Sequence, residues 1–98
     1  MGMLKHKKIK VGNNFIEALS IKLLTKTFIL LKGSKGYVMC GYLDLAVAEK
    51  FGDVAVKIVG VSSISQALRA SVHSCTSQAI KLGISESSPI KEVLKAIA

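Results

Sequence analysis

The apolar residues of this chain occur in short runs, and this pattern restricts the fold more than any other feature. The runs at residues 28–31 (FILL) and 37–40 (YVMC) are interrupted by Lys or Gly, far short of the ~18 residues that cross a bilayer. Because hydrophobic residues make up 50% of 98 positions, the chain must still bury a core, and this length suits one domain. We therefore expect one domain and no membrane segment.

Period-two patterns and turn residues predict strands in the first half of the chain. Residues 9–11 and 15–24 are expected as strands, and residues 28–32 and 37–40 as a hairpin closed by a Gly-Ser-Lys-Gly loop. Residues 54–59, rich in β-branched side chains, predict another strand. Since the hairpin strands are apolar on both faces, we expect them inside the sheet, covered by helices or by another subunit.

Helical periodicity and capping residues dominate the second half. Apolar residues at four-residue steps before Gly52 predict a short helix, and Ser63 begins a capping-box pattern. A third helix is expected over residues 72–82, and a fourth from Ser88 onward with an apolar stripe. These elements predict an α+β fold: one domain with about five strands in a mixed or antiparallel sheet, covered by three to four helices.

The net charge of +8 is concentrated near the amino terminus. Residues 1–7 are interpreted as a flexible basic tail ahead of an α+β domain over residues 8–98. A basic segment is one signature of nucleic-acid binding, but a single arginine and few aromatic residues argue against phosphate forks or base stacking. An RNA-binding accessory domain is therefore ranked second among the alternative functions considered below. The simpler interpretation is that these lysines are only a solvated group. Those lysines are Lys5, Lys7, Lys8 and Lys10.

The two cysteines, Cys40 and Cys75, stand far apart without the spacing of a zinc site or a disulfide framework. The first residues also lack the apolar stretch of a signal peptide. We expect free thiols in a cytoplasmic protein, with no metal and no cofactor.

Two corners, at which an apolar strand is followed by a helix, are candidate sites. In the first, the strand ends at Cys40, Gly41 permits a sharp turn, and Asp44 begins a helix. A sulfur beside the unpaired amides of that helix would be stabilised as a thiolate, which favours catalysis by Cys40. Alternatively, a buried cysteine packs as a small hydrophobe, and Asp44 only caps the helix.

The second corner contains Gly60 followed by Ser62 and Ser63 ahead of a helix. Its amides and hydroxyls would bind a carboxylate or phosphate group, although serines at helix starts are mainly caps. His73 is a further titratable residue, but nothing in the sequence places it beside Cys40.

Three segments resemble a known family: GYVMCGYLDL at residues 36–45, VGVSSISQAL at residues 59–68, and LGI before the last helix. The chain is similar over about residues 9–97 to the YunC-like family, small bacterial and archaeal proteins of unknown function. The resemblance implies an α+β domain without an established activity, cofactor or catalytic set. One departure follows LGI, where the family often has Gly-Met and residues 85–88 are SESS.

We expect a small domain that forms a homo-oligomer and holds a small-molecule ligand at the two corners, around Cys40 and Gly60. Self-association is expected because so apolar a short chain has interior-type surface left for a partner subunit. The alternative is a thiol-dependent enzyme or redox-responsive protein that uses Cys40. The predicted ligand-binding residues are Gly36, Gly41, Asp44, Gly60, Ser62 and Ser63.

Overall fold

Six strands form one mixed sheet in the order in which they follow along the chain, and the computed structural model describes residues 4–98. The parallel pair, β4 and β5, is flanked by antiparallel neighbours on both sides. The strands are β1 (Leu4–Val11), β2 (Asn14–Lys22), β3 (Thr27–Lys32), β4 (Tyr37–Met39), β5 (Ala55–Lys57) and β6 (Ser74–Cys75).

Four helices pack against this sheet: α1 (Leu45–Phe51), α2 (Ile64–Leu68), α3 (Ser77–Lys81) and α4 (Ile90–Ile97). Helices α2 and α4 cover one face, here called the closed face, and α3 adds Ala79 to the same core. The apolar strand residues buried on the closed face are Ile16, Ala18, Ile29, Leu31, Val38 and Val56.

The opposite side of the sheet, here called the open face, is covered only in part. Helix α1 packs over β4 and β5 through Ala48, against Ala55, Tyr37 and Met39. Among the described residues, no helix lies over β1, β2 and β3 on this side. The open-face residues of those three strands are Leu4, His6, Lys8, Lys10, Phe15, Glu17, Leu19, Ile21, Phe28, Leu30 and Lys32.

The predicted α+β class is confirmed, and of the two predicted sheet types, mixed or antiparallel, the structure has the mixed one, with six strands rather than about five. The last helix carries its stripe on the buried side as expected, and its N-cap is Pro89 rather than Ser88. The four buried residues of the stripe are Ile90, Val93, Leu94 and Ile97.

The helix expected over residues 72–82 is wrong in its first half. Residues 74–75 form β6, and the amides of His73 and Thr76 donate to the carbonyls of Lys57 and Ala55. Backbone pairing with an open strand edge thus overrides a local helical pattern. The side chain of Thr76 then caps α3, which begins only at Ser77.

The first helix also differs from its expected packing. Apolar spacing pointed Val47 and Phe51 toward the core, yet they are 47% and 74% exposed. The residue of α1 that is buried is Ala48. Its small side chain lets the helix approach the sheet closely.

The predicted basic tail over residues 1–7 differs from the structure at residues 4–7, which belong to β1; residues 1–3 lie outside the described residues. All eight residues of β1 pair with the next strand, β2, in a hairpin, although the lysine-rich first half of β1 lacks the apolar alternation that marks a strand. Lysines are common on edge strands, where they oppose edge-to-edge association. Over residues 4–98, no helix is long and apolar enough to span a membrane.

Candidate functional site

The first corner turns sharply after β4, as predicted. The Leu43 amide donates to the Cys40 carbonyl at 3.0 Å, which closes a tight turn. Asp44 is the N-cap of α1, and its Oδ1 accepts from the amides of Ala46 at 3.1 Å and Val47 at 3.3 Å. Asp44 therefore occupies the helix amides that a thiolate at this corner would need.

The Cys40 sulfur lies on the closed face instead. The Ile29 amide donates to Sγ at 3.3 Å, and the cysteine is only 4% exposed within the main core. The sulfur therefore meets a strand amide and not the amino end of α1, contrary to the catalytic interpretation of Cys40. This arrangement agrees with the packing interpretation of Cys40.

The second corner follows β5. Gly60 has a φ of +72°, a conformation that glycine adopts without strain. The amide and hydroxyl of Ser62 both donate to Gln66 Oε1, at 2.8 and 3.1 Å, and Ser63 Oγ accepts from the Gln66 amide at 3.1 Å. Both serines thus help to start α2, as the capping interpretation predicts.

The two corners lie at one edge of the sheet because β4 and β5 are parallel. From this edge the chain passes into α1 on the open face and into α2 on the closed face. Divergence of two neighbouring connections leaves a crevice at the carboxyl ends of the strands. The structure has a cleft of about 680 Å³ here, the corner cleft, lined by residues 25–27, 40–42 and 59–62.

The lining of the corner cleft is mixed in character. Tyr42 supplies an aromatic wall, with its ring centroid 6.2 Å from that of Phe28, and Val59 and Val61 supply aliphatic surface. Lys26 is the one lysine among the lining residues, and these include no carboxylate. The cleft thus suits a small organic molecule that has an apolar part and either a neutral polar or an anionic group.

Four predicted residues line this cleft, and three do not. Cys40, Gly41, Gly60 and Ser62 are among the lining residues. Asp44 and Ser63 serve as helix caps outside it.

Gly36 is not a ligand-binding residue by position, because it precedes β4 at the opposite edge. A Cβ there would lie 2.6 Å from the carbonyl oxygen of Val54, so glycine permits close packing. His73 is exposed, with Nδ1 3.1 Å from Ser74 Oγ, and does not line the cleft either.

The lining residues that were not predicted from the sequence as site residues are Thr25, Lys26, Thr27, Tyr42, Val59 and Val61. Thr25 and Lys26 lie in the β2–β3 turn and Thr27 begins β3; the sequence marks this triplet only as an interruption between apolar strands. Their position beside both corners depends on the antiparallel pairing of β3 with β4. The polar Thr-Lys-Thr triplet is the only local signal available.

Groups with shifted pKa values lie outside the corner cleft. Burial raises the pKa of the Cys75 thiol, with a smaller contribution from Glu86. Hydrogen bonds from the Ser77 hydroxyl and amide lower the pKa of Glu49 and join α1 to α3. These shifts reflect contacts between elements of the fold.

Comparisons with known proteins place the chain in a family. Residues 39–97, which contain both corners, match the model of a domain of unknown function (DUF1805). The uncharacterized protein YunC of Bacillus subtilis (strain 168) is 42% identical over 71 residues, covering 68% of this chain and 70% of YunC. A crystal structure of a protein of unknown function from Thermoplasma acidophilum is similar with a TM-score of 0.94 and 31% identity, over 98% of this chain and 94% of that one. The chain therefore belongs to the DUF1805 family, in agreement with its predicted resemblance to YunC-like proteins.

Proposed function

We propose that this protein binds a small organic ligand in the corner cleft. The observation that carries the proposal is the position of the cleft, at the carboxyl ends of a parallel strand pair whose following helices pack on opposite faces. Open α/β sheets bind ligands at such divergence points. The volume of about 680 Å³ is also within the usual range for small-molecule sites, roughly 300–1,000 Å³.

Glycine residues give the ligand access to the cleft wall. A Cβ added at Gly41 would meet no atom within 4 Å, so the space beside this residue is open. The same holds at Gly60. The bound molecule would contact backbone at both corners and the ring of Tyr42 beside them.

Blocking this space tests the proposal. We expect ligand-observed NMR on a mixture of nucleosides, amino acids and small carboxylic acids to find binders that shift the amides of residues 40–42 and 59–62. Gly41→Leu should abolish their binding because the side chain fills the cleft, whereas Gly41→Ala should retain it. If no compound binds, or if Gly41→Leu binds as well as the native chain, the corner cleft is not the site.

We further propose that the open face associates with a second copy of the chain. The half of this face next to the corner cleft is apolar, a surface that commonly marks an interface. Its apolar patch consists of Leu4, Leu19, Ile21 and Leu30. Phe28 and Met39 border the patch and also pack against the main core and the α1 cluster, respectively.

The charges on the open face select the arrangement of the two copies. Lys8, Lys10 and Lys32 occupy the other end of the face, with Glu17 between them. Consider a two-fold axis that lies in the plane of the interface, passes through the apolar patch and runs perpendicular to the strands. This axis places the lysine ends of the two copies at opposite ends of the dimer interface. The apolar patches then meet while the like charges stay apart.

Light scattering after size-exclusion chromatography should report a dimer at micromolar concentration. Ile21→Lys should give a monomer because it places a charge inside the patch, while Val47→Lys adds the same charge on exposed α1 surface and should remain dimeric. A native monomer, or equal effects of both substitutions, would disprove this interface.

A further inference from the structure

A second, smaller cleft lies on the closed-face side of the sheet, between β1, β2 and the start of α2. Its volume is about 290 Å³. It shares only Ser62 with the corner cleft. We call it the serine cleft; the residues around it are Lys5, His6, Lys7, Ser20, Ser62, Ser63, Ile64 and Ser65.

Ser20 is a buried polar residue at the base of the serine cleft. It is only 8% exposed, on a strand face where Ile16 and Ala18 are fully buried. Its hydroxyl makes no hydrogen bond to any of the described residues. Among the described residues no side-chain oxygen is both enclosed and without a partner, so the Ser20 oxygen is open to the cleft that it lines and can bond to a molecule there.

Two lysines border the same space. Lys5 is the direct cross-strand neighbour of Ser20, and Lys7 lies two positions further along the same side of β1. Neither lysine has a carboxylate within salt-bridge distance among residues 4–98. His6 also borders the cleft, but its Nε2 lies 3.3 Å from Oε1 of Glu17 on the open face. The lysine charges are therefore not neutralised by this chain's acidic side chains.

The serines opposite the lysines add donors. Ser63 Oγ accepts from the Gln66 amide, which leaves its hydroxyl proton free to donate. Ser65 borders the cleft and lies in the first turn of α2. No carboxylate lines the serine cleft. Ammonium groups and hydroxyl donors without acidic neighbours are the groups that hold oxyanions.

We propose that the serine cleft binds a small oxyanion, a phosphate or carboxylate group, between Lys5, Lys7 and the hydroxyl of Ser20. This is a second binding site, and its test needs no molecule in the corner cleft. The shared chemistry of the two anions is a set of negatively charged oxygens that accept from ammonium and hydroxyl donors. Of the four lysines near the amino terminus, only Lys5 and Lys7 border the serine cleft. The alternation of side chains along β1 directs Lys8 and Lys10 to the open face.

Because of this alternation, two double lysine variants with the same net charge can be compared, one at the serine cleft and one on the open face. Inorganic phosphate, and in parallel acetate, is titrated into the full native chain while its amide resonances are followed by NMR. We expect saturable shifts at Ser20 and at residues 62–65. The double variant K5Q/K7Q should weaken binding by at least about tenfold, whereas K8Q/K10Q, with the same net charge, should change it by less than about threefold.

Ser20→Ala provides an independent variant, since it removes one oxygen and leaves the strand surface nearly unchanged. It should weaken binding by about threefold to tenfold without lowering the melting temperature. Equal losses in the two double variants would show that diffuse charge holds the anion, and shifts without saturation would show no site; either result overturns the proposal. Binding of phosphate but not acetate, or the reverse, identifies which anion the cleft accepts.

Discussion

The two faces of the sheet are built from alternate residues of the same strands, yet only one is fully covered. On the closed face, small residues such as Ala18 and Ser20 lie beside Ile29 and Leu31, and helices pack over them. On the open face, the corresponding positions of β2 and β3 carry Leu19, Ile21, Phe28 and Leu30. The two faces of β3 are therefore equally hydrophobic. They differ in the size of the side chains beside them on β2, because a helix approaches a sheet only where small residues leave space.

The largest expected effect is a difference in thiol-labelling rate between Cys40, which is buried on the closed face, and Cys75. Cys40 should react with a thiol reagent only when the domain opens, because its sulfur is enclosed and accepts from the Ile29 amide. With a global stability of about 5 kcal/mol or more, labelling should be at least about a thousandfold slower in the folded than in the unfolded protein. Cys75 is partly exposed at the sheet edge and should label first.

The cysteine measurement uses the single variants Cys40→Ser and Cys75→Ser to assign each phase. Rapid labelling of Cys40 in the folded chain would contradict the enclosed geometry. It would instead favour the thiol-dependent alternative, in which the corner cleft gives a substrate access to the sulfur.

Leu31 and Leu30 compare the two faces directly, since they are neighbours on β3 that point in opposite directions. Leu31 is fully buried on the closed face, so Leu31→Ala should lower the free energy of unfolding by about 2–5 kcal/mol. Leu30→Ala should cost about 1 kcal/mol, because less area is lost from a partly exposed side chain. Urea denaturation followed by circular dichroism at low protein concentration measures both for the monomer.

Equal decreases in the free energy of unfolding for Leu31→Ala and Leu30→Ala would show that the open face is as well packed as the closed one. At high protein concentration the two decreases should become more similar, since a second copy would bury Leu30. A concentration-independent difference would count against that interface.

Local signals in the sequence predicted the elements whose causes are local. The apolar stripe from Ile90 to Ile97, the caps at Asp44 and Ser63, and the end of α1 at Gly52 all follow from neighbouring residues. Strand β6 was missed because it pairs with β5 across the intervening α2, and no nearby residue records such pairing. The first half of β1 was missed although it pairs with the next strand, β2, because its lysine-rich residues show no apolar alternation.

The candidate sites also divide into one that local sequence signals located and one that depends on strand pairing. Both corners were located from strand, glycine and helix signals, and they do line the corner cleft at Cys40, Gly41, Gly60 and Ser62. The serine cleft was missed because Lys5 was interpreted as part of a tail. Its cross-strand contact with Ser20 exists only through the β1–β2 register.

The helix caps provide a control in which the two faces should behave alike. Asp44 caps α1 over the open face, and Ser63 caps α2 over the closed face. Capping is a local hydrogen bond at the helix end, so Asp44→Ala and Ser63→Ala should each lower the free energy of unfolding by about 1 kcal/mol. A much larger loss for Ser63→Ala would show that this serine also supports the closed-face packing.

The last comparison concerns Tyr37, where α1 covers the open face. Burial, the hydrogen bond to Asp53 and the charge of that carboxylate raise the pKa of Tyr37 from 10.0 to about 12; its hydroxyl donates to Asp53 Oδ2 at 2.8 Å. The unfolded tyrosine ionises first as pH rises, so its contribution to stability is complete below pH 10 and is lost between about pH 10 and 12. In Tyr42→Phe, the remaining tyrosine should show this raised pKa by ultraviolet absorbance. Adding Asp53→Asn should lower the pKa only partly, because burial is the largest cause. A return to the ordinary value would instead assign the whole shift to Asp53 and would show that α1 leaves this end of the open face accessible to water.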